Sequence, residues 1–509
     1  MPQSSAEPYA PGQKEARIPT PRRAFPAAAE GPRGRIPHFW TRLFPVIALL
    51  TVLTRLPSFA RTLWNPDEGF LATQARQLAD GGVLYDTVVD RKPPFVPWLY
   101  QGSFAVFGDG SLWPVRVVAI LAVLAGAGLL ASVAHRRWGG RAAWTAGIVY
   151  VLLSVGLNPE DTQAATFEVF MLPWTVAAVW CAERARWLGA GLAVAGAVLA
   201  KQTGGAVLLP VVFLLWHSRA GWLALLRVCV GAALPVGACA LLFGPGKFFY
   251  WIATGSGAYL SADGAGFRPL LRALGGLGLL TLAFLPLLVA IFAVVLSRNR
   301  QRRLRHTADL WVWLVASLAA TTVGLQFFGH YFLQLVPALA LLGTAALHEL
   351  TPRTGSAALA LTALFASAYV GWGFTAQRTE LDHAHRLSDT VRSYTEPDAP
   401  VLLWGMHPEG YWLSGRAPAS RYLTAGFLSN FSGGRGGTRV GERYGMDGAW
   451  EHFVRELKRR PPELIVDDSR DELYGVERMP TLSGHIARRY EKVATIDDAD
   501  FYVLTPTPR

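Results

Sequence analysis

Trp64-Asn65-Pro66-Asp67-Glu68-Gly69 follows directly on the first long apolar segment of the chain, residues 42–60. An apolar run of that length spans a bilayer as a helix. The residues after it therefore place two carboxylates, Asp67 and Glu68, at a lipid–water boundary. Hydrocarbon nearby raises the free energy of an ionised group, so charge kept there calls for a reason. Two readings meet at this point. An Asn-Pro-Asp-Glu start is what a helix N-terminus prefers, because acids there offset free N–H groups. A carboxylate facing water and lipid together can also act as a general base toward a hydroxyl or amine.

The rest of the chain repeats the apolar theme. It has 509 residues, 51% hydrophobic and 17% charged, against roughly 25% charged in a soluble protein. Apolar blocks lie near 42–60, 113–134, 142–157, 166–182, 187–200, 203–217, 222–243, 270–297, 309–328, 331–349 and 355–375. The expected fold is a polytopic α-helical membrane protein with about 11 transmembrane helices. The stretch 187–217 reads as two short helices rather than one broken one. The net charge of +12 sits in short loops, without stacking aromatics along a groove, which argues against a nucleic-acid partner.

Basic clusters at residues 22–42, His135-Arg136-Arg137, Arg184 with Arg186, Arg219 with Arg227, and residues 298–305 fall in alternate loops. Lys and Arg favour cytoplasmic loops. One topology satisfies all of them: a plasma-membrane protein with a cytoplasmic N-terminus, the Asp67 loop outside, and residues after 375 outside. Residues 1–41, rich in Pro, Ala, Arg and Gly, read as a disordered cytoplasmic tail. Residues 42–375 form the membrane domain, with a first external loop at 61–112 whose length marks it as functional. Residues 68–79 in that loop read as a helix starting at the acidic pair. Residues 376–509 read as a small extracytoplasmic α/β domain, with strands at 401–404, 464–466 and 501–504 and an amphipathic helix at 450–459. Cys181, Cys229 and Cys239 lie in or beside apolar segments and show neither a disulfide framework nor metal-type spacing.

Further candidates lie on the same expected face as Asp67. Lys92, in Asp90-Arg91-Lys92-Pro93-Pro94, is a cation stiffened by two prolines and suited to a phosphate, or to a lipid headgroup as an anchor. Lys201, in Lys201-Gln202-Thr203-Gly204, falls at the outer end of a short helix, where topology does not call for a cation but an anionic partner would. His330 and Tyr331 sit between two spans and can meet a phosphate or sugar, or belong to an interfacial aromatic belt. Glu160, Asp161 and Glu168 bracket the start of a span, and spacing does not say which of them faces a site. Arg55, late in the first span, can pair with a carboxylate or a phosphate.

Taken together these motifs resemble the bacterial protein O-mannosyltransferases and the related lipid A aminoarabinose transferases, lipid-linked-sugar glycosyltransferases of the GT-C class. The resemblance rests on Asn65-Pro66-Asp67-Glu68-Gly69, on Asp90-Arg91-Lys92-Pro93-Pro94-Phe95 with Trp98-Leu99, and on Phe107-Gly108 through Trp113-Pro114-Val115-Arg116. It continues through Lys201-Gln202-Thr203-Gly204 and His330-Tyr331-Phe332-Leu333-Gln334-Leu335-Val336-Pro337. It covers roughly residues 42–350 and leaves the tail from 376 uncovered. It implies a GT-C fold, a polyprenyl-phosphate-sugar donor and an extracytoplasmic acceptor. It assigns the catalytic base to Asp67 and the donor phosphate to Lys92. It also implies a second acid, which has no clean Asp match here; Glu168 is the choice, with Asp161 behind it.

The expected reaction is an inverting displacement, with Asp67 taking the acceptor proton and Lys92, helped by Arg55 or Lys201, meeting the leaving phosphate. No cofactor is demanded, although Asp67, Glu68 and Glu168 can together hold a divalent cation. A transporter or flippase is the main alternative, and a receptor the next. A transporter predicts charges near the bilayer midplane and repeat symmetry, whereas here charges gather at one face and no internal repeat is visible.

Overall fold

The computed structural model describes residues 36–256, 266–297, 307–431 and 439–506. Most of the expected tail, residues 1–35, and the basic cluster at 298–305 lie outside the described residues. Where the tail is described, it is helical. α1 (Ile36–Arg55) starts before residue 42 because Phe39 and Trp40 pack against the ring of His135, with centroids 5.0 and 6.1 Å apart.

The first loop carries two helices, α2 (Pro66–Ala79) and α3 (Phe95–Phe107). α2 begins where the sequence places an N-terminus: the Asn65 side chain accepts the Asp67 N–H at 2.8 Å and Pro66 opens the first turn. α3 follows directly on Pro93-Pro94, in a Pro-rich stretch for which no helix is expected from the sequence. Helices α4 (Trp113–Trp138), α5 (Gly140–Leu153), the short α6 (Pro159–Gln163), α7 (Phe167–Glu183) and α8 (Trp187–Ala200) come next. Then come α9 (Leu208–Ser218), α10 (Trp222–Phe243), α11 (Pro245–Ile252), α12 (Arg268–Leu296), α13 (Ala308–Thr321), α14 (Val336–Glu349) and α15 (Pro352–Thr375).

Six helical segments of the described chain are long and apolar enough to cross a membrane, with shorter apolar helices beside them. α8 and α9 are separate helices, as expected, because the chain turns extended at Lys201 and continues as a 3₁₀ turn, Gln202–Val207. α8 and α10 cross at glycines: a Cβ on Gly191 would meet the Val228 carbonyl oxygen, and one on Gly231 would lie 2.5 Å from that of Leu188. Small residues allow such backbone approach where lipid gives no hydrophobic drive between helices. Arg137, near the end of α4, is buried with Glu183 of α7 and Asp309 of α13 at 2.5 Å each, and it ties those three helices together.

The C-terminal part is built around a five-stranded sheet. After α16 (Thr379–Tyr394) come β1 (Pro400–Trp404), α17 (Glu409–Ser414), β2 (Ala417–Pro418), α18 (Gly426–Ser429) and α19 (Ala449–Arg459). β3 (Leu464–Asp467), α20 (Pro480–Arg489), β4 (Tyr490–Ile496) and β5 (Ala499–Leu504) complete it. The strand order is β2-β1-β3-β5-β4, with β1 and β3 parallel (Val401 beside Leu464) and β5 antiparallel to β3 and β4. β1 and β3, up to Asp467 at the end of β3, are apolar because both their faces are covered. α17 packs onto α2: a Cβ on Gly69 would clash with Glu409. Gly69 thus lets the C-terminal segment lie close against the helix that carries the acidic pair.

Candidate active site

The first turn of α2 presents Asp67 to a cavity of about 480 Å³. Lys92, Asp161, Lys201, His330 and Tyr331 line the same cavity. Residues far apart in sequence therefore converge on Asp67.

Local structure explains each position. Lys92 precedes Pro93-Pro94, and its loop is clamped twice: the Gln202 amide donates to the Arg91 carbonyl at 2.5 Å, and the Tyr85 hydroxyl donates to the Lys92 carbonyl at 2.8 Å. Gln202 thereby links the two lysine motifs. The Lys92 ammonium lies 5.5 Å from the centroid of the Phe167 ring. Lys201 extends into the cavity at the break after α8, with its ammonium 3.9 Å from the centroid of Tyr331 and paired with Glu168. The close return of the chain after it needs Gly204, where a Cβ would lie 2.5 Å from the Ala197 carbonyl oxygen.

His330 is held by Asp161, whose carboxylate accepts the His330 backbone N–H at 3.0 Å and lies 2.8 Å from its Nδ1. The ring stacks on Phe328, with centroids 5.7 Å apart. The span expected over 309–328 stops at Thr321, and left-handed residues Gly324, Leu325 and Phe327 turn the chain toward the cavity. Such backbone at non-glycine positions is strained and collects at functional sites. Gly329 allows Asp161 in: a Cβ there would collide with the carboxylate. Gly329→Ala is therefore expected to displace Asp161 and His330 together and to lower turnover, with the thermal midpoint little changed; unchanged turnover would show that this contact yields freely.

Three expected site residues do not line the cavity. Glu68 is fully buried beneath it. Its carboxylate meets Arg116 at 2.7 Å and accepts the backbone N–H groups of Trp64 at 3.0 Å and Ala165 at 2.8 Å. It points away from Asp67 because adjacent residues in a helix's first turn diverge by about 100°. Its role is to pin α2 to α4 and to the start of α7. Arg55 does not reach the cavity either. Its guanidinium is buried, bound to the Ser154 hydroxyl at 2.9 Å and to the Thr162 carbonyl, and it braces the end of α5 against α6. Glu168 stands behind the cavity wall as the counter-ion of Lys201, with His330 Nε2 at 3.8 Å. The acid nearer the cavity is Asp161. Among the described residues no three or more His, Cys, Asp or Glu side chains converge as a metal site, so Asp67, Glu68 and Glu168 do not form a ligand set for a divalent cation.

The cavity also holds Asp90, Glu160, Arg272 and Phe328. Asp90 belongs to the Lys92 motif, and its carboxylate accepts the Gln74 amide from α2 at 3.0 Å. Arg272, above the face of Phe328 at 4.7 Å, opens the apolar run of α12, where a cation reads as ordinary span flanking. Burial pushes the Asp67 carboxyl above the usual range, and nearby His330 and Lys92 pull it only part of the way back. Burial likewise raises Asp90 to about 6 against the pull of Lys92, and it raises Glu160 against that of Arg378. A carboxylate short of solvent beside cations is a stronger base than one in water, and still ionises.

Solved structures resemble the chain over nearly all of its length. ArnT from Cupriavidus metallidurans bound to undecaprenyl phosphate superposes with a TM-score of 0.61 at 16% identity, covering 92% of this chain and 99% of that one. The same protein in the apo state gives 0.57 at 18% identity, covering 93% and 100%. The oligosaccharyltransferase of Archaeoglobus fulgidus in the apo form gives 0.50 at 11% identity, covering 91% and 74%. The chain is a multi-pass membrane protein with the GT-C fold. More particularly, the family described as dolichyl-phosphate-mannose-protein mannosyltransferase matches residues 91–243, a span that contains Lys92, Glu168 and Lys201. None of the curated proteins matches the chain.

Proposed function

We propose that the protein is a membrane glycosyltransferase that moves a sugar from a polyprenyl-phosphate donor to an acceptor on the external side of the membrane. The observation that carries this reading is the half-buried carboxylate of Asp67 in one cavity with Lys92, Lys201 and Arg272. A site holding both suits a reaction that removes a proton at one point while negative charge grows at another.

In this reading an acceptor O–H attacks the anomeric carbon and its proton passes to Asp67. The bond from that carbon to the phosphate oxygen breaks, and the electron pair leaves with polyprenyl phosphate, which Lys92 and Lys201 receive. Charge of the right sign already in place lowers the barrier without reorganisation. Asp161 and His330 hold the far wall. The ArnT structure with undecaprenyl phosphate and the mannosyltransferase family match support a lipid-linked donor. Mannose and a pentose remain equal candidates for the sugar. The chain's basic loops support the orientation with the site outside and the N-terminus inside.

The test is transfer by the full-length protein in lipid nanodiscs, supplied with a polyprenyl-phosphate sugar. Lys92→Ala is expected to raise the donor KM and lower kcat, in total about 10²-fold in kcat/KM, as for loss of one charged transition-state contact. Donor that is neither bound nor consumed by the wild-type protein would overturn the reading and favour a carrier for another lipid.

A further inference from the structure

A second cavity, of about 920 Å³, opens onto Asp67 from the side of the C-terminal sheet. It shares Asp67, Phe70, Arg272 and Phe328 with the first, but neither Lys92 nor Lys201 reaches it. Its other wall comes from the part of the chain that no recognised motif covers. We propose that this second cavity holds the acceptor, and that what the acceptor presents there is a neutral saccharide. The inference rests on the transfer reading above and assigns a role to the C-terminal segment.

Position comes first. An acceptor oxygen and a leaving phosphate must reach the anomeric carbon from opposite faces in an inverting transfer. The first cavity gathers the cations that suit the phosphate. The second shares Arg272 but approaches the same carboxylate without Lys92 and Lys201, which leaves it for the attacking group.

The chemistry of the wall then narrows the acceptor. Arg470 lies 2.9 Å from Glu380 and 2.8 Å from His407 Nε2, and His407 Nδ1 lies 3.0 Å from Glu409. These groups form a chain braced on α2, since Glu409 packs against Gly69. The Glu380 and Arg470 side chains are 59% and 32% exposed, so their remaining donors and acceptors are open to a ligand. The wall's arginines, Arg91, Arg272 and Arg470, are balanced by Asp67, Glu380 and Glu472, so it offers oriented hydrogen bonds with little net field, which suits hydroxyls rather than ions. A polyanionic headgroup gains no net attraction from that balance. Phe70, half-buried one turn beyond Asp67, offers an aromatic face at the threshold for the C–H side of a sugar ring. A peptide joining the sheet would need an edge strand, and the edges, β2 and β4, contribute no residue to this wall.

The test uses the full-length protein in nanodiscs with a polyprenyl-phosphate sugar donor and three kinds of acceptor. These are neutral oligosaccharides (mannobiose, maltotriose and arabinotriose), a Ser/Thr-rich peptide, and a phosphorylated glucosamine lipid. Transfer to an oligosaccharide is expected. Phe70→Ala, Arg470→Gln and the shape-conserving Glu380→Gln should each raise its KM at least tenfold, and the last two, which lie outside the first cavity, should leave donor KM and slow donor hydrolysis by water unchanged. Donor consumed with transfer to the peptide or the phosphorylated lipid alone, or to no acceptor, overturns the inference while the transfer reading stands. Unchanged oligosaccharide KM in all three variants overturns it as well. Donor neither bound nor consumed overturns the transfer reading itself.

Discussion

Asp67→Asn is expected to lower kcat for sugar transfer by about 10²–10⁴-fold, the range for loss of a general base, and to leave the donor KM near the wild-type value. Asparagine keeps the hydrogen bond between the Asp67 backbone N–H and Asn65 that starts α2, so the helix survives and only the proton acceptor is lost. The pH profile gives an independent check. Burial raises the Asp67 pKa, so the free enzyme loses activity as pH falls through a value above the ordinary carboxylate range. Lys92 opposes that rise, and Lys92→Gln should therefore move the acid limb of kcat/KM to still higher pH. A limb at the ordinary carboxylate value, or full activity in Asp67→Asn, would remove Asp67 from the base role.

Glu68→Ala is expected to cost about 3–5 kcal/mol of stability, because it strands Arg116 as a buried charge without its carboxylate. The loss should appear as a lower thermal midpoint of the purified protein in detergent. Arg116 keeps bonds to the carbonyls of Ser58 at 2.5 Å and Arg61 at 2.7 Å, which soften the loss without replacing the counter-charge. Replacing both partners with Met should recover much of the midpoint, since two apolar side chains leave no buried charge. Activity should not return with it, because the Trp64 and Ala165 N–H groups would still lack the Glu68 carboxylate that holds Asp67's helix in place. A Glu68→Ala protein that keeps its midpoint yet loses all turnover would instead make Glu68 a reacting group.

Much of the cavity was legible because its residues come in short motifs whose chemistry is local. Asn65-Pro66 caps a helix and so aims Asp67; Pro93-Pro94 stiffens the chain after Lys92; Lys201 is a cation where topology asks for none. Facing is another matter. Glu68 and Arg55 carry the right charges at the right depth, but the partners that take them inward are Arg116, Ser154 and Thr162, remote in sequence. Glu168 was chosen ahead of Asp161, and the order at the cavity wall is the reverse for the same reason: Lys201 claims the first, while Gly329 admits the second. Arg272 gave no signal, since an arginine at the head of an apolar helix looks like any span boundary. In the C-terminal part, β1, β3 and β5 announced themselves as apolar runs. β4 did not, because as an edge strand it is largely exposed and Glu491, Lys492 and Thr495 interrupt its apolar residues.

By itself the sequence determined that this is a helical membrane protein with an acid and two rigidly held cations on one face. Apolar length, proline stiffness and helix capping are properties of neighbouring residues, and they need no fold to be read. Only the tertiary structure decided which member of the acidic pair meets the cavity and which is spent on Arg116. It also decided that the C-terminal sheet closes over Asp67 to make a second chamber. Both outcomes depend on contacts between segments tens to hundreds of residues apart, and a linear pattern of polarity does not encode which faces will meet.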